Sequence, residues 1–135
     1  MTTQKTRILV AEDNKIFANA LRFNLEAAGF STTIAVDGSE ALQMALQDQF
    51  DLVIADYQMP KLLGIELCRQ LRQDDRYART PMILISAFEE CNVVELIDDL
   101  ELLEAIFVKP FSMEELMTQI RECLADCKIA EKSSS

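Results

Sequence analysis

Five short apolar runs are spaced along the chain, separated by longer stretches in which apolar residues recur every three or four positions. The runs are Ile8–Ala11, Thr32–Val36, Leu52–Ala55, Met82–Ile85 and Ala105–Val108, and they read as β-strands. Most are unbroken rather than alternating, the pattern of parallel strands buried on both faces. The second, opening on Ser31-Thr32-Thr33, is more polar and suits a sheet edge.

The intervening stretches read as helices. Asp13 or Asn14 caps one that carries Phe17, Ala20, Leu21 and Ala28 and is ended by Gly29. Asp37-Gly38-Ser39 opens a second, with Leu42, Ala45 and Leu46 inward. A third runs from Gly64 to about Leu71 on Ile65, Cys68 and Leu71. In the fourth, around Glu90–Leu102, apolar residues crowd too closely for one face, and the pattern does not define its end. The fifth begins with a capping box, Ser112-Met113-Glu114-Glu115, followed by Leu116, Ile120 and Leu124. Strands and helices in strict alternation predict an α/β domain, a five-stranded parallel sheet doubly wound with five helices on its two faces. Residues 1–127 form that domain, and the polar residues 128–135 read as a fraying tail or linker stub.

Composition sharpens this picture at a few points. A chain of 135 residues, half of them hydrophobic, can bury a core without disulfides or a structural metal. No apolar run approaches the roughly 20 residues of a membrane helix, and Met1–Arg7 does not start a signal peptide, so a cytoplasmic location with no membrane contact is expected. The net charge of −10 repels phosphate backbones, which argues against direct nucleic-acid binding. Between Arg79 and Lys109 the chain carries seven acidic residues and no basic one. A solvated helix face is the ordinary reading of that run, and a docking surface for a basic partner the sharper one. Cys68, Cys91, Cys123 and Cys127 form no Cys-x-x-Cys pair, the chain has no histidine, and all four read as reduced core or semi-core thiols.

In open α/β sheets, ligands bind beyond the carboxyl ends of the strands. Glu12 and Asp13 follow the first strand, Asp56 the third, Ser86 the fourth and Lys109 the fifth. Each alone has a plain explanation: a helix cap for the acidic pair, a turn for Asp56, a loop hydroxyl for Ser86, a strand end for Lys109. Together they gather three carboxylates in one cleft, where two charges about 4 Å apart repel by about 4 kcal/mol at an effective dielectric near 20. Unless most of them were protonated, such a cluster calls for a cation, and Mg²⁺ suits an all-oxygen set. With Lys109 and Mg²⁺ offsetting the three carboxylates, the site is neutral and can receive an anionic phosphoryl group. Asp56 is then a carboxylate nucleophile, with Mg²⁺, Lys109 and the Ser86 hydroxyl holding the transferring oxygens. No glycine-rich phosphate loop occurs, so the phosphoryl donor is expected to be another molecule rather than a directly bound nucleotide.

These residues resemble the receiver (CheY-like) family over essentially the whole chain, from Arg7 to about Leu124. The resemblance rests on Glu12-Asp13, the acceptor Asp56, Met59-Pro60, Gly64, Ser86-Ala87 and Lys109-Pro110-Phe111, in that order and spacing. It implies a flavodoxin-like sheet of order 2-1-3-4-5 and a signalling phosphoacceptor rather than an enzyme, with self-catalysed phosphorylation and dephosphorylation. It implies Mg²⁺ held by Asp13, Asp56 and the backbone carbonyl of Gln58, with Glu12 acting through water. The implied partners are a histidine kinase, a phosphotransfer protein or a small phosphodonor upstream, and a downstream protein or an attached output domain. A homodimer through the fourth helix, fifth strand and fifth helix is a further arrangement the family allows.

The chain departs from the family pattern in three places. Ile106 stands where the family usually has an aromatic residue, and Phe107, one position later, should point to the opposite face of the strand. Leu62-Leu63 precedes Gly64 where an acidic residue is common, and both leucines are expected to be exposed. Leu102 and Leu103 replace the usual glycine and alanine before the fifth strand. The competing readings are a receiver-like interaction module that is never phosphorylated, and an aspartyl-nucleophile phosphatase of the haloacid dehalogenase type. The latter needs a second aspartate where this chain has Gln58.

Overall fold

Strands β1 (Arg7–Ala11), β2 (Ser31–Ala35), β3 (Leu52–Asp56), β4 (Met82–Ala87) and β5 (Ala105–Lys109) form one sheet because each run offers apolar side chains to both of its faces. The computed structural model describes residues 5–87, 103, 105–109 and 112–133, without the side chains of residues 87, 109 and 126–133. All neighbouring strands are parallel, in the order β2-β1-β3-β4-β5. The more polar β2 lies at an edge, as its threonines predict.

Side chains of one strand alternate between two cores. In β1, Leu9 and Ala11 face the layer built by α2 (Gly38–Gln47) and α3 (Gly64–Arg72), while Ile8 and Val10 face α1 (Lys15–Ala27) and the C-terminal helix (Met113–Ser133). In β5, Ile106 packs on the first side and Phe107 on the second, so the one-residue offset does place them on opposite faces. The two layers make the doubly wound α/β fold anticipated from the alternation of elements. The fourth helical segment, residues 90–102, and the seven acidic residues between Arg79 and Lys109 lie outside the described residues, leaving four α-helices among those described.

Several local expectations change. Ala20 points to solvent and the apolar stripe of α1 is instead Ala18, Leu21 and Leu25, because a step of three from Ala18 and four from Leu21 keeps one side of the helix. Leu46 of α2 is also exposed, and Ala41 takes the inward place beside Ala45. Leu62 and Leu63 are half-buried against the core rather than exposed. The C-terminal helix runs through Lys128 to Ser133, in keeping with the helix-forming residues Lys128, Ala130, Glu131 and Lys132. Gly29, at φ 96°, follows the end of α1 as expected. Cys68 and Cys123 are buried and not joined in a disulfide, and burial pushes the Cys68 thiol up to about 12. Cys91 and the Cys127 side chain lie outside the described residues.

A polar clamp closes the end of the sheet remote from Asp56. The Arg7 guanidinium grips both oxygens of Asp48 at 2.6 Å and lies 4.9 Å over the Phe50 ring. The Arg7 hydrogen bonds, foremost, hold the Asp48 carboxyl down at about 2. Beneath it the fully buried Tyr77 hydroxyl meets the carbonyls of Ala45 (2.6 Å) and Asp48 (2.8 Å) and accepts from the Phe50 N–H at 3.3 Å. One phenol thereby ties the end of α2 to the start of β3. Tyr77→Phe strands polar groups in the core and is expected to lower stability by about 1–3 kcal/mol. Urea denaturation of the two proteins measures this, and equal midpoints would show that the clamp is not held by the hydroxyl.

Candidate functional site

The chain leaves β1 still bound to its neighbour: the Glu12 N–H donates to the Ala35 carbonyl at 3.0 Å, one residue past the strand. That bond keeps Glu12 against the sheet, where it is buried with 3% of its surface accessible. Its Oε2 accepts from the Asn14 N–H at 3.1 Å. Asn14 itself caps α1, its Oδ1 accepting from the N–H groups of Ile16 (3.0 Å) and Phe17 (3.1 Å). With Asn14 as the cap, Asp13 is left exposed and available for another purpose.

Asp56 is the last residue of β3 and pairs with Ile85 of β4. The turn after it is closed by the backbone, Tyr57 N–H to Ile85 O at 2.6 Å and Gly64 N–H to Tyr57 O at 2.9 Å. These bonds return the chain directly over Asp56, so closely that a Cβ on Gly64 would sit 2.2 Å from the Asp56 carbonyl oxygen. The glycine matched in the sequence therefore has a steric reason: it lets α3 start against the backbone of the acidic residue.

The result is a cluster in which one carboxylate oxygen each from Glu12, Asp13 and Asp56 lies within 4.8 Å of the others. At that separation each pair repels by about 3 kcal/mol at an effective dielectric near 20, less for the exposed Asp13, where solvent screens it. The donor set is all hard oxygen, which fits Mg²⁺ and does not fit a thiophilic metal. Gln58, whose carbonyl was expected to join them, lies exposed two residues after Asp56 in the same turn.

Ser86 is fully buried in β4, immediately after the strand partner of Asp56. Lys109 ends β5 opposite Ala87, so the backbone brings it to the same edge; its side chain lies outside the described residues. The structure thus gathers Glu12, Asp13 and Asp56 by side chain, and Ser86 and Lys109 by strand register.

Two charged residues at this edge were not anticipated as a pair. Asp37 caps α2, its Oδ1 accepting from the Glu40 N–H at 2.8 Å, and its Oδ2 lies 3.6 Å from the Lys61 ammonium. The Glu40 N–H foremost, and Lys61 as well, hold the Asp37 carboxyl below the usual carboxylate range. Asp37-Gly38 was legible as a cap. Nothing in the sequence signalled that Lys61, with φ 72°, would bend the chain back toward it, because that conformation ordinarily announces itself through glycine or asparagine.

Known proteins resemble this chain in sequence and in fold. The chain is 36% identical over 129 residues to the alkaline phosphatase synthesis transcriptional regulatory protein PhoP of Bacillus subtilis, a match covering 95% of this chain and 52% of that protein. It is 32% identical over 119 residues to the DNA-binding dual master transcriptional regulator RpaA of Synechocystis, covering 87% and 48%. The receiver domain of the Francisella response regulator 1452 superposes with a TM-score of 0.80 at 31% identity, covering 91% of this chain and 99% of that one. The chain spans about half the length of the curated relatives named. The expectation that nucleic acid is no partner finds no support in them, since RpaA is by name DNA-binding. Surface charge of these 135 residues does not speak for what a longer protein binds. The sequence model of the response regulator receiver domain matches residues 8–121. The chain belongs to the response regulator receiver domain family, and its place is in two-component signal transduction.

Proposed function

We propose that this chain is a phosphoacceptor switch in which Asp56 takes up a phosphoryl group from a histidine kinase, a phosphotransfer protein or a small phosphodonor. The observation that carries the reading is the cluster of Glu12, Asp13 and Asp56 oxygens within 4.8 Å at the carboxyl edge of the sheet. An Asp56 carboxylate oxygen forms the new bond to phosphorus, while the phosphorus–nitrogen or phosphorus–oxygen bond of the donor breaks and its electron pair leaves with the donor. Glu12, Asp13, Asp56 and the backbone carbonyl of Gln58 would hold Mg²⁺, which when bound offsets negative charge on the carboxylates and the incoming phosphoryl oxygens.

Ser86 and Lys109 supply donors to those oxygens, Lys109 as a positive charge and Ser86 as a hydroxyl. Burial of Glu12 keeps its carboxylate directed into the cluster rather than into bulk water. Residues 1–127 form the switch, with 128–135 as an extension from it. Its setting is cytoplasmic; among the described residues no helix is long and apolar enough to cross a membrane. The transcriptional regulators among its relatives favour a DNA-binding output, attached or separate, downstream of the switch.

The test is intact mass after incubation with acetyl phosphate or phosphoramidate, with and without Mg²⁺. A gain of one phosphoryl group that requires Mg²⁺ is expected. No gain from either donor, in protein shown to be folded, would replace this reading with a receiver-like module that acts by binding alone. Ile106, packed toward α2 and α3 where the family usually keeps an aromatic residue, is the feature that favours that second reading.

A further inference from the structure

Two residues past Gln58, whose carbonyl is proposed to bind the metal, the chain enters a three-residue turn, Pro60-Lys61-Leu62. The Leu62 N–H donates to the Pro60 carbonyl at 2.9 Å across Lys61, whose φ is 72°. A γ-turn of this hand is rare and strained for a side-chain-bearing residue, and it persists only where the surroundings impose it. Lys61 is the one non-glycine residue with positive φ among those described. The surroundings are visible. Met59 before the turn is buried at 6% accessibility. Leu62, its last residue, lies so close to the start of α2 that a Cβ on Gly38 would stand 2.3 Å from the Leu62 carbonyl oxygen. Between these anchors the Lys61 ammonium reaches Asp37 Oδ2 at 3.6 Å, and Asp37 is itself held in place as the cap of α2.

We infer that the Lys61–Asp37 ion pair is a clamp that docks the loop after Asp56 onto α2 and so positions the Gln58 carbonyl toward the cation site. Asp37 and Lys61 are positioning residues in this account: neither touches the metal or the phosphoryl group. The inference rests on the Mg²⁺ reading above. It also accounts for a lysine at a backbone position that glycine would occupy without strain, because glycine has no ammonium to reach Asp37.

Calorimetric Mg²⁺ titration of the whole chain separates the clamp from simple charge. Lys61→Met removes a positive charge near three carboxylates, so long-range electrostatics alone predicts tighter Mg²⁺ binding. Asp37→Asn removes a negative charge, and electrostatics alone predicts weaker binding. Methionine shares lysine's unbranched backbone preferences, and asparagine caps a helix as well as aspartate, so neither change disturbs the local fold. The clamp predicts the same sign for both: each weakens Mg²⁺ binding about threefold, as suits a surface pair whose lysine is exposed and whose aspartate is largely covered. The double variant is no weaker than either single one, and Lys61→Arg restores the wild-type value. In metal-free protein, the Leu62 amide exchanges faster in both single variants at an unchanged melting temperature. Opposite signs for the two substitutions, or unaltered Leu62 exchange, would overturn the clamp while leaving wild-type Mg²⁺ binding intact. A wild-type protein that binds no Mg²⁺ would instead remove the metal reading, and the clamp with it.

Discussion

Asp56→Asn is expected to take up no phosphoryl group from any donor and, in metal-free buffer, to be more stable than the wild type by about 1 kcal/mol. Loss of uptake follows from removing the carboxylate nucleophile, since an amide oxygen at the same place cannot form the acyl phosphate. The gain in stability follows from the geometry. Three carboxylate oxygens lie within 4.8 Å of one another, and asparagine keeps the shape of Asp56 while deleting two of the three repulsions. Each is about 3 kcal/mol at an effective dielectric near 20, but Asp13 is exposed and screened, so about 1 kcal/mol should survive. Urea denaturation in EDTA measures it. Added Mg²⁺ should close the gap by stabilising the wild type through binding, with little effect on the variant. Aspartyl phosphate formed at wild-type yield in the variant would refute Asp56 as the acceptor. Equal stability in EDTA, together with no response of the wild type to Mg²⁺, would refute the cation site.

Gly64→Ala carries the second large effect. The substitution should be mildly favourable for a helix by itself, by less than the about 1 kcal/mol of a helix interior because Gly64 is the first residue of α3. Against that, the new Cβ would stand 2.2 Å from the Asp56 carbonyl oxygen, 2.9 Å from its carbonyl carbon and 2.9 Å from Leu84 Cδ1. Two of those three atoms are strand backbone, which cannot rotate away as a side chain would. Overpacking of this kind costs about 1–3 kcal/mol, occasionally more, and the upper end applies against backbone, so a net loss of about 2 kcal/mol is expected. Relief requires shifting α3 or Asp56 itself, and a displacement near 1 Å at a reacting group lowers rate by up to about a hundredfold. Thermal denaturation and the rate of mass gain with acetyl phosphate should therefore fall together. Gly29→Ala is the control. Gly29 has φ 96° but nothing within 4 Å of a Cβ, so alanine there should lower stability through backbone strain alone and leave phosphoryl uptake unchanged. Uptake at the wild-type rate in Gly64→Ala would show that the approach of α3 does not position Asp56.

What could be read along the chain followed from periodicity. A run such as Leu52-Val53-Ile54-Ala55 is apolar at every position because both of its faces are covered, Val53 and Ala55 toward α2 and α3, Leu52 and Ile54 toward α1 and the C-terminal helix. Helix faces were read less well. Ala20 and Leu46 read as inward on composition, yet Ala18 and Ala41 fill those places, because they lie one helical turn before Leu21 and Ala45 on the side each helix turns to the sheet. Leu62 and Leu63 looked exposed beside a turn, and only the packing of that turn against α2 shows them half-buried.

By itself, the sequence determined the alternating parallel sheet and the placing of Glu12, Asp13, Asp56, Ser86 and Lys109 at strand ends, since strand period and strand termini are local properties. Tertiary structure decided what those residues are to one another. Asn14 rather than Asp13 caps α1, which frees Asp13, and register along β1 and β3 brings three carboxylates of distant sequence within 4.8 Å. It also decided that Lys61 adopts φ 72° and lies beside Asp37, and that Gly64 touches the backbone of Asp56. Such contacts depend on the distance between elements far apart in the chain. No local pattern of polar and apolar residues encodes that distance, which is set when two helical layers close on one sheet.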